Sequence, residues 1–594
     1  MERTHPTMPM ADLGPVMYLT ERPSTRFPVY TRGNVGEVYP EAVYPLSFSM
    51  ARSAVTVEEL AALMLDTRMV TRSDVAEGFV TMGGVFGGYQ YLNLSLQRVL
   101  AVRAPGTSIE ESDATFFSSH DLAPPHEPHP DDKNLRASIG AVRYVLGLLR
   151  VTEVEGLAEE RELATAWRDR ESEILEGSDA ELLATLDELG AIISSLFIHH
   201  LDTTNRAGAA LQLLARICKE QLGDKGLALT LLGGIGEVDS ALPSIALWRL
   251  GRMVAEDSEL TTMFDDGPDG LEERISASVE TNPAASDFCD AFDSFCFTHA
   301  ARGQNEWETA SQTWGTDRTQ PLTLIDRMRS AGPDHDPVVA AKSLSAKREA
   351  AITDARARLR GPNRWVFNRA LRAATVLSRA RERSKTTVVD VVHVSRLIIR
   401  ELGRRTAERG RGGTMFDIWF VGYDELVDYV AKPDTFGEVI AERRAARDFI
   451  VEREPPFAFA EELPPIDTWP LRASANVADD SNELARPGDV LAGVPGCPGV
   501  AEGRARIVLD PTDPGDLGPG DVLVAPHTDP AWTPLFVPVE AVVVNVGGQM
   551  SHAVIVAREL GQPCVVAVTG ATGCIADGAR IRVDGTVGTI TILD

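Results

Sequence analysis

Residues 547–566 read GGQMSHAVIVARELGQPCVV, and this run decides how the rest of the chain is built. Gly547 and Gly548 permit a tight turn, Ser551 is a candidate N-cap, and Ala553 to Leu560 predicts a helix closed by Gly561 and Pro563. His552 consequently falls in the first turn of that helix. Unpaired backbone N–H groups and the positive end of the helix dipole gather there, the environment that best tolerates a phosphoryl group carried on an imidazole. The Ser551 hydroxyl lies within reach of such a group. Against this stands the plainer reading of a strand–turn–helix unit with an incidental histidine.

The chain has 594 residues, 44% of them hydrophobic, ample for several buried cores. Its formal charge of −29, from 87 acidic and 58 basic residues, argues against nucleic acid or an anionic membrane as the main partner. No apolar run approaches the roughly 18–20 residues that span a bilayer. The start, MERTHPTMPMADLGPVM, lacks a charged-then-apolar leader, so a cytoplasmic location is expected. Six cysteines form no C-x-x-C pair and are expected to be reduced.

Taken in order, residues 34–50 (NVGEVYPEAVYPLSFSM) mix prolines and aromatics without a helical period and read as an extended, packed segment. A capping box at Thr56 to Glu59 starts a helix. Residues 83–93, GGVFGGYQYLN, place Tyr89 and Tyr91 beside glycines, where they either line a substrate pocket or pack structurally. Residues 104–136 read as a surface loop, with His120, His126 and His129 exposed rather than metal-bound. From 137 to 452 the 3.6 period dominates, with a second capping box at Ser178 to Glu181 and helical runs in 207–222, 341–385, 388–409 and 436–452. The LLGGIGE run at 231–237 reads as a helix-breaking turn, and no G-x-x-x-x-G-K-[ST] phosphate loop occurs.

Residues 453–487, rich in Pro, Asp, Glu and Ala, read as an extended linker. Beyond it, short β-type runs at 504–509, 521–525, 541–546, 563–568, 579–583 and 587–592 predict a compact α/β module. The expected fold is therefore multidomain. A mostly α-helical substrate domain spans 1–452, with a subdomain at 1–136, the linker spans 453–487, and a small α/β domain spans 488–594.

Two clusters in the helical part carry candidate chemistry. His299, Arg302 and Glu306 surround a glycine in FCFTHAARGQNEWE (295–308), a set suited to binding a phosphoryl group and moving a proton, or else to a helix-end salt bridge. In RARERSK (379–385), Arg381 and Lys385 share one helix face, where two cations stabilise a phosphoryl group in flight or simply face solvent. Glu382 lies around the helix from Arg381. No metal ligands are assigned.

The 547–566 run resembles the phosphohistidine swivelling domain of the phosphoenolpyruvate-utilising family, whose signature GG-x-x-SH-x-x-x-x-ARE-x-G-x-P is matched by Gly547, Gly548, Ser551, His552, Ala557, Arg558, Glu559, Gly561 and Pro563. The segments NVGEVYPEAVYPLSFSM, HAARGQNEWE, RARERSK and TMFDIWFVGYDEL (414–426) are similar to the helical substrate domain of rifampin phosphotransferase and its relatives. The family's GHRG-x-x-E run corresponds to Thr298 through Glu306, with Ala301 a departure, and its R-E-x-x-K run to Arg381, Glu382 and Lys385. This resemblance implies a swivelling β/β/α fold at the C-terminus, His552 as covalent nucleophile and Arg381 and Lys385 as charge stabilisers. It further implies His299 or Glu306 as base and Arg302 and Glu382 as substrate-binding residues.

Fused members of the family carry an ATP-grasp module ahead of the helical domain, and this chain begins almost where that module would end. The resemblance then implies a split enzyme. ATP and Mg bind a separate ATP-grasp subunit that loads His552, and a small, phenolic acceptor waits in the helical domain, as in phenylphosphate synthase and 4-methylphenyl phosphate synthase. The alternatives are an antibiotic hydroxyl of rifamycin type, pyruvate, or a phosphohistidine relay without catalysis.

Overall fold

The computed structural model describes residues 20–594 apart from 118–122, 225, 237, 331–335, 411–412, 473–483 and 549–550. His120, Glu237 of the LLGGIGE run and the middle of the expected linker lie outside the described residues.

Near the N-terminus, strand β1 (Val29–Thr31) is followed by the short helix α1 (Val35–Val38) and by the hairpin of β2 (Gly83–Phe86) and β3 (Tyr89–Asn93). The fourth strand of this antiparallel sheet is β4 (Ala458–Ala460), which pairs with β1 through Tyr30 and Phe459. The expected extended linker is therefore folded over its described first part. Phe459 and Trp469 are buried with Tyr30, Phe86, Tyr89 and Tyr91 in one aromatic core. The prolines keep this segment extended, but its aromatics gain more by burial against the sheet than by hydration. The 34–50 segment also differs from expectation: besides α1 it forms a helix at Pro45–Ala54, opened by Pro45 at the first helical position.

The helical body is built on two long helices, α2 (Asp179–Ile217, 39 residues) and α4 (Gly361–Arg409, 49 residues), with α3 (Pro283–Thr298) between them in sequence. Both capping boxes form: Thr56 with Glu59, and Ser178 with Glu181 at the start of α2. Leu182, Leu186 and Leu189 of α2 pack with Val388, Val391 and Ile398 of α4, and Ala207, Ala210 and Leu214 pack with Ala370, Ala374 and Leu377. Asp179–Leu222 is long and apolar enough to cross a membrane by length and composition, contrary to the expectation from apolar runs. Its leucine stripe is nonetheless buried against α4. The helical run expected over 341–385 is broken at Leu359–Arg360, just ahead of Pro362 in the first turn of α4, and α4 then continues without interruption through Thr386 and Thr387.

The C-terminal domain is an eight-stranded sheet ordered β5-β12-β11-β7-β8-β9-β10-β6. Its strands are β5 (Val490–Ala492), β6 (Val494–Cys497), β7 (Val500–Ile507), β8 (Asp521–Ala525), β9 (Ala541–Val544), β10 (Cys564–Val566), β11 (Arg580–Asp584) and β12 (Thr589–Ile592). The central strands β7, β8, β9 and β10 run parallel, and helix α5 (His552–Leu560) crosses from β9 to β10. All four residues of β9 are buried, as a strand covered on both faces requires. This domain packs on the helical body, where Trp248, Phe288 and Trp314 share a core with Trp532, Phe536 and Val554.

Candidate functional site

Ser551 caps α5, its hydroxyl accepting from the Val554 amide at 3.4 Å, and places His552 at the first helical position. The two preceding glycines answer to close approach. A Cβ on Gly547 would lie 2.7 Å from the Glu37 carboxyl, and one on Gly548 would lie 2.7 Å from the Thr115 carbonyl oxygen. Only glycine lets the loop reach the body this closely.

The imidazole is held from both edges. Its Nε2 lies 3.0 Å from the Thr533 hydroxyl and its Nδ1 3.3 Å from that of Thr528. Both threonines belong to the turn HTDPAWTPLF (527–536), which Asp529 caps through the Ala531 amide at 3.0 Å. Burial, and then the positive charges of Lys385, Arg302 and Arg381, push the His552 pKa far below its ordinary value. The ring is uncharged at neutral pH with a lone pair available, the form a nucleophilic imidazole requires.

Facing it, the structure unites the two clusters that the sequence keeps about eighty residues apart. Lys385 pairs with Glu306 at 2.9 Å, and Arg302 approaches both Glu306 carboxylate oxygens at 3.2 Å. Arg302 also donates to the Thr386 hydroxyl at 2.7 Å. Glu306 is 2% exposed. Burial raises its pKa, but Lys385 and Arg302 outweigh that and hold it ionised below the usual range. Arg381 pairs with its neighbour Glu382, which is buried and also receives the Ser240 hydroxyl. Glu382 is thus a strut that aims Arg381. The result is a cationic wall with the ionised carboxylates of Glu306 and Glu382 set in it, suited to charge developing on a transferring phosphoryl group.

His299 ends α3 and rests on Phe295 with ring centroids 5.0 Å apart. Burial, with Arg302, Arg161 and Arg168, pushes its pKa down to about 3, so it is a neutral base. Arg302 acts on both His299 and His552.

Tyr89 and Tyr91 do not join the site. Both are 0% exposed, and the Tyr91 hydroxyl donates to the Pro456 carbonyl while that of Tyr89 accepts from Arg472. The glycines around them allow the hairpin to pack, and the rings are core. His126 and His129 lie beside Asp132 and Asp131. Among the described residues no group of His, Cys, Asp or Glu is placed to hold a metal ion.

Sequence reasoning missed Thr528, Asp529, Thr533 and Glu37. Thr528 and Asp529 were signalled by Thr-Asp-Pro, a cap before a proline, and Thr533 follows in the same turn. Glu37 gave no local signal, since only folding brings α1 against α5.

Residues 199–382 match the model of the rifampicin phosphotransferase fourth domain, and 517–588 match the mobile domain of PEP-utilising enzymes. An uncharacterised protein of Mycobacterium tuberculosis (strain H37Rv) is 39% identical over 225 residues, 38% of this chain and 24% of that protein. Rifampicin phosphotransferase of Bacillus subtilis (strain 168) is 38% identical over 179 residues, 30% of this chain and 19% of that enzyme. Rifampicin phosphotransferase of a Streptomyces species is 30% identical over 391 residues, 63% of this chain and 42% of that enzyme. The chain thus spans less than half the length of each of these relatives. With a neutral histidine opening the helix of the matched mobile domain, and a matched helical domain facing it, the chain is similar to phosphoenolpyruvate-utilising enzymes in its mobile domain and to rifampicin phosphotransferase in its helical part.

Proposed function

We propose that this chain is the phosphohistidine-carrying, acceptor-binding part of an ATP-dependent phosphotransferase. The observation that carries this reading is the uncharged His552 ring at the start of α5, within range of Lys385, Arg302 and Arg381. In the proposed cycle a separate ATP-grasp subunit, holding ATP and Mg, phosphorylates His552, and the mobile domain then presents the phosphoryl group to the helical body. There the N–P bond breaks as an acceptor oxygen bonds to phosphorus. The hydroxyl proton passes to Glu306, or to His299, and the ring nitrogen regains a proton as the phosphoryl group leaves. Overall, ATP, water and the acceptor hydroxyl yield a phosphate ester, AMP and orthophosphate.

The acceptor in this reading is a phenolic hydroxyl of phenol or p-cresol type. In support, the Trp307 indole N–H and the Asn305 side-chain carbonyl, flanking Glu306, are buried without a hydrogen-bond partner. Trp307 also stands between Phe197 and His200, with ring centroids 6.1 and 6.0 Å away. Such a wall suits a flat, apolar molecule with one polar end. A second reading, an antibiotic hydroxyl of rifamycin type, draws on the names of the relatives.

The test mixes the chain with a candidate nucleotide-binding subunit, ATP and Mg, and follows an acid-labile phosphoryl group by intact mass. His552→Ala is expected to take up none; phosphate on that variant would end the carrier assignment. Adding phenol, p-cresol, a rifamycin or pyruvate and measuring AMP identifies the acceptor. Phosphorylation of His552 with no acceptor consumed would instead favour a relay.

A further inference from the structure

Across the seam between helical body and mobile domain, each side sends a buried carboxyl to the backbone of the other. Asp529, on the mobile domain, accepts the Asn305 amide at 2.9 Å and is 4% exposed. Asn305 lies between Arg302 and Glu306 and holds a left-handed conformation, φ 53°, that aims its amide across the seam. In the other direction Glu37, from α1 of the body, is 5% exposed and faces the start of α5, near enough for the His552 amide and the Ser551 hydroxyl to favour its ionised form. Its Oε1 is buried without a partner beside Gly547. Neither carboxyl belongs to the cationic wall.

We propose that Glu37 and Asp529 form a reciprocal clamp that sets His552 in register with the Arg302–Glu306 segment whenever the mobile domain docks. One carboxyl fixes the backbone of the histidine, the other the backbone of the run that receives its phosphoryl group. They are positioning residues, because both act through main chain.

The clamp is also coupled to protons. Burial raises Glu37 to about 8 against the pull of the His552 amide, Ser551, Arg381 and Lys385. Burial, with help from Glu306, raises Asp529 to about 7 against the Asn305 and Ala531 amides and Lys385. Cys564 stands near Glu37, and Glu559, on the same domain, is raised by burial while facing Arg558, Arg379 and the Gly236 and Ile235 amides. The sign follows from linkage. Both clamp carboxyls bind a proton more tightly docked than undocked, so docking is favoured at low pH and is lost as pH rises toward 7 and then 8, with no further change from this pair above that.

Docking is measured in the full chain by energy transfer between dyes on the exposed residues Glu438 and Arg582, with neither nucleotide nor acceptor present, so the outcome is independent of the phosphoryl reading. The docking constant of the native chain is expected to fall about threefold or more between pH 6 and 8. Glu37→Gln and Asp529→Asn keep an acceptor for each amide but not the titration. Their combination is expected to lose this fall and keep only the slope left by Glu559 and the opposite slope of His552, whose pKa docking lowers, so that docking rises from pH 6 to 8. Glu37→Ala is expected to dock less at every pH and to be rescued by Gln. A double variant with the native slope, or Ala equal to Gln, overturns the proposal.

Discussion

In the proposed cycle His552 is a nucleophile only while its ring is uncharged, and burial, followed by the cations proposed to meet the phosphoryl group later, keeps it so. Lys385 contributes a mobile charge and Arg302 a fixed fork, each steadied by Glu306. Replacing Lys385 by Met removes the charge but keeps the stem. Phosphoryl transfer to an acceptor is expected to slow about 10²–10³-fold in a single-turnover assay, with loading of His552 unchanged. The tyrosines behave differently. Tyr91→Phe should cost about 1 kcal/mol, the net worth of its hydrogen bond, and Tyr89→Ala about 3–5 kcal/mol as a core truncation. Chemical denaturation measures both, and normal His552 loading in the folded fraction is expected of each.

At the scale of elements, two helices carry the site for opposite reasons. The short α5 matters for its end, because its first amides and its dipole surround the histidine. Ser551→Ala is expected to destabilise the protein by about 1 kcal/mol in urea titration and to slow loading, since the cap holds the turn as well as the helix. The long α4 matters for its rigidity. Arg381 and Lys385 project from a helix whose other faces are packed by Leu377, Val388 and Val391. Leu377→Ala is therefore expected to cost about 2–5 kcal/mol, read as a lowered midpoint temperature.

Over the whole molecule, the site exists only as a junction. The mobile domain brings His552, Thr528 and Thr533, the helical body brings Lys385, Arg302 and Glu306, and the short helix α1 brings Glu37. Leu344 lies against Gly561 at the end of α5, where an added Cβ would meet its side chain at 3.1 Å. Leu344→Asp puts a charge into this contact and is expected to raise amide hydrogen exchange in both 299–309 and 552–560, leaving the interior of α4 protected.

The identity of the mobile domain was legible in one local run, because a cap, a histidine and a helix end are set by neighbours in the chain. The capping boxes at Thr56 and Ser178, the helical dominance and the strand at 521–525 were legible for the same reason. What needed the fold was every relation between distant segments. The 453–472 stretch looked like a linker until β4 found β1, and Tyr89 and Tyr91 looked available until Phe459 and Trp469 covered them. The placement of Lys385 on Glu306, and of Glu37 on the histidine turn, joins elements with no shared sequence signal. Local backbone preference writes helices, caps and turns into short stretches of sequence, whereas burial, charge pairing and pKa depend on which surfaces meet, and that is decided only when the whole chain packs.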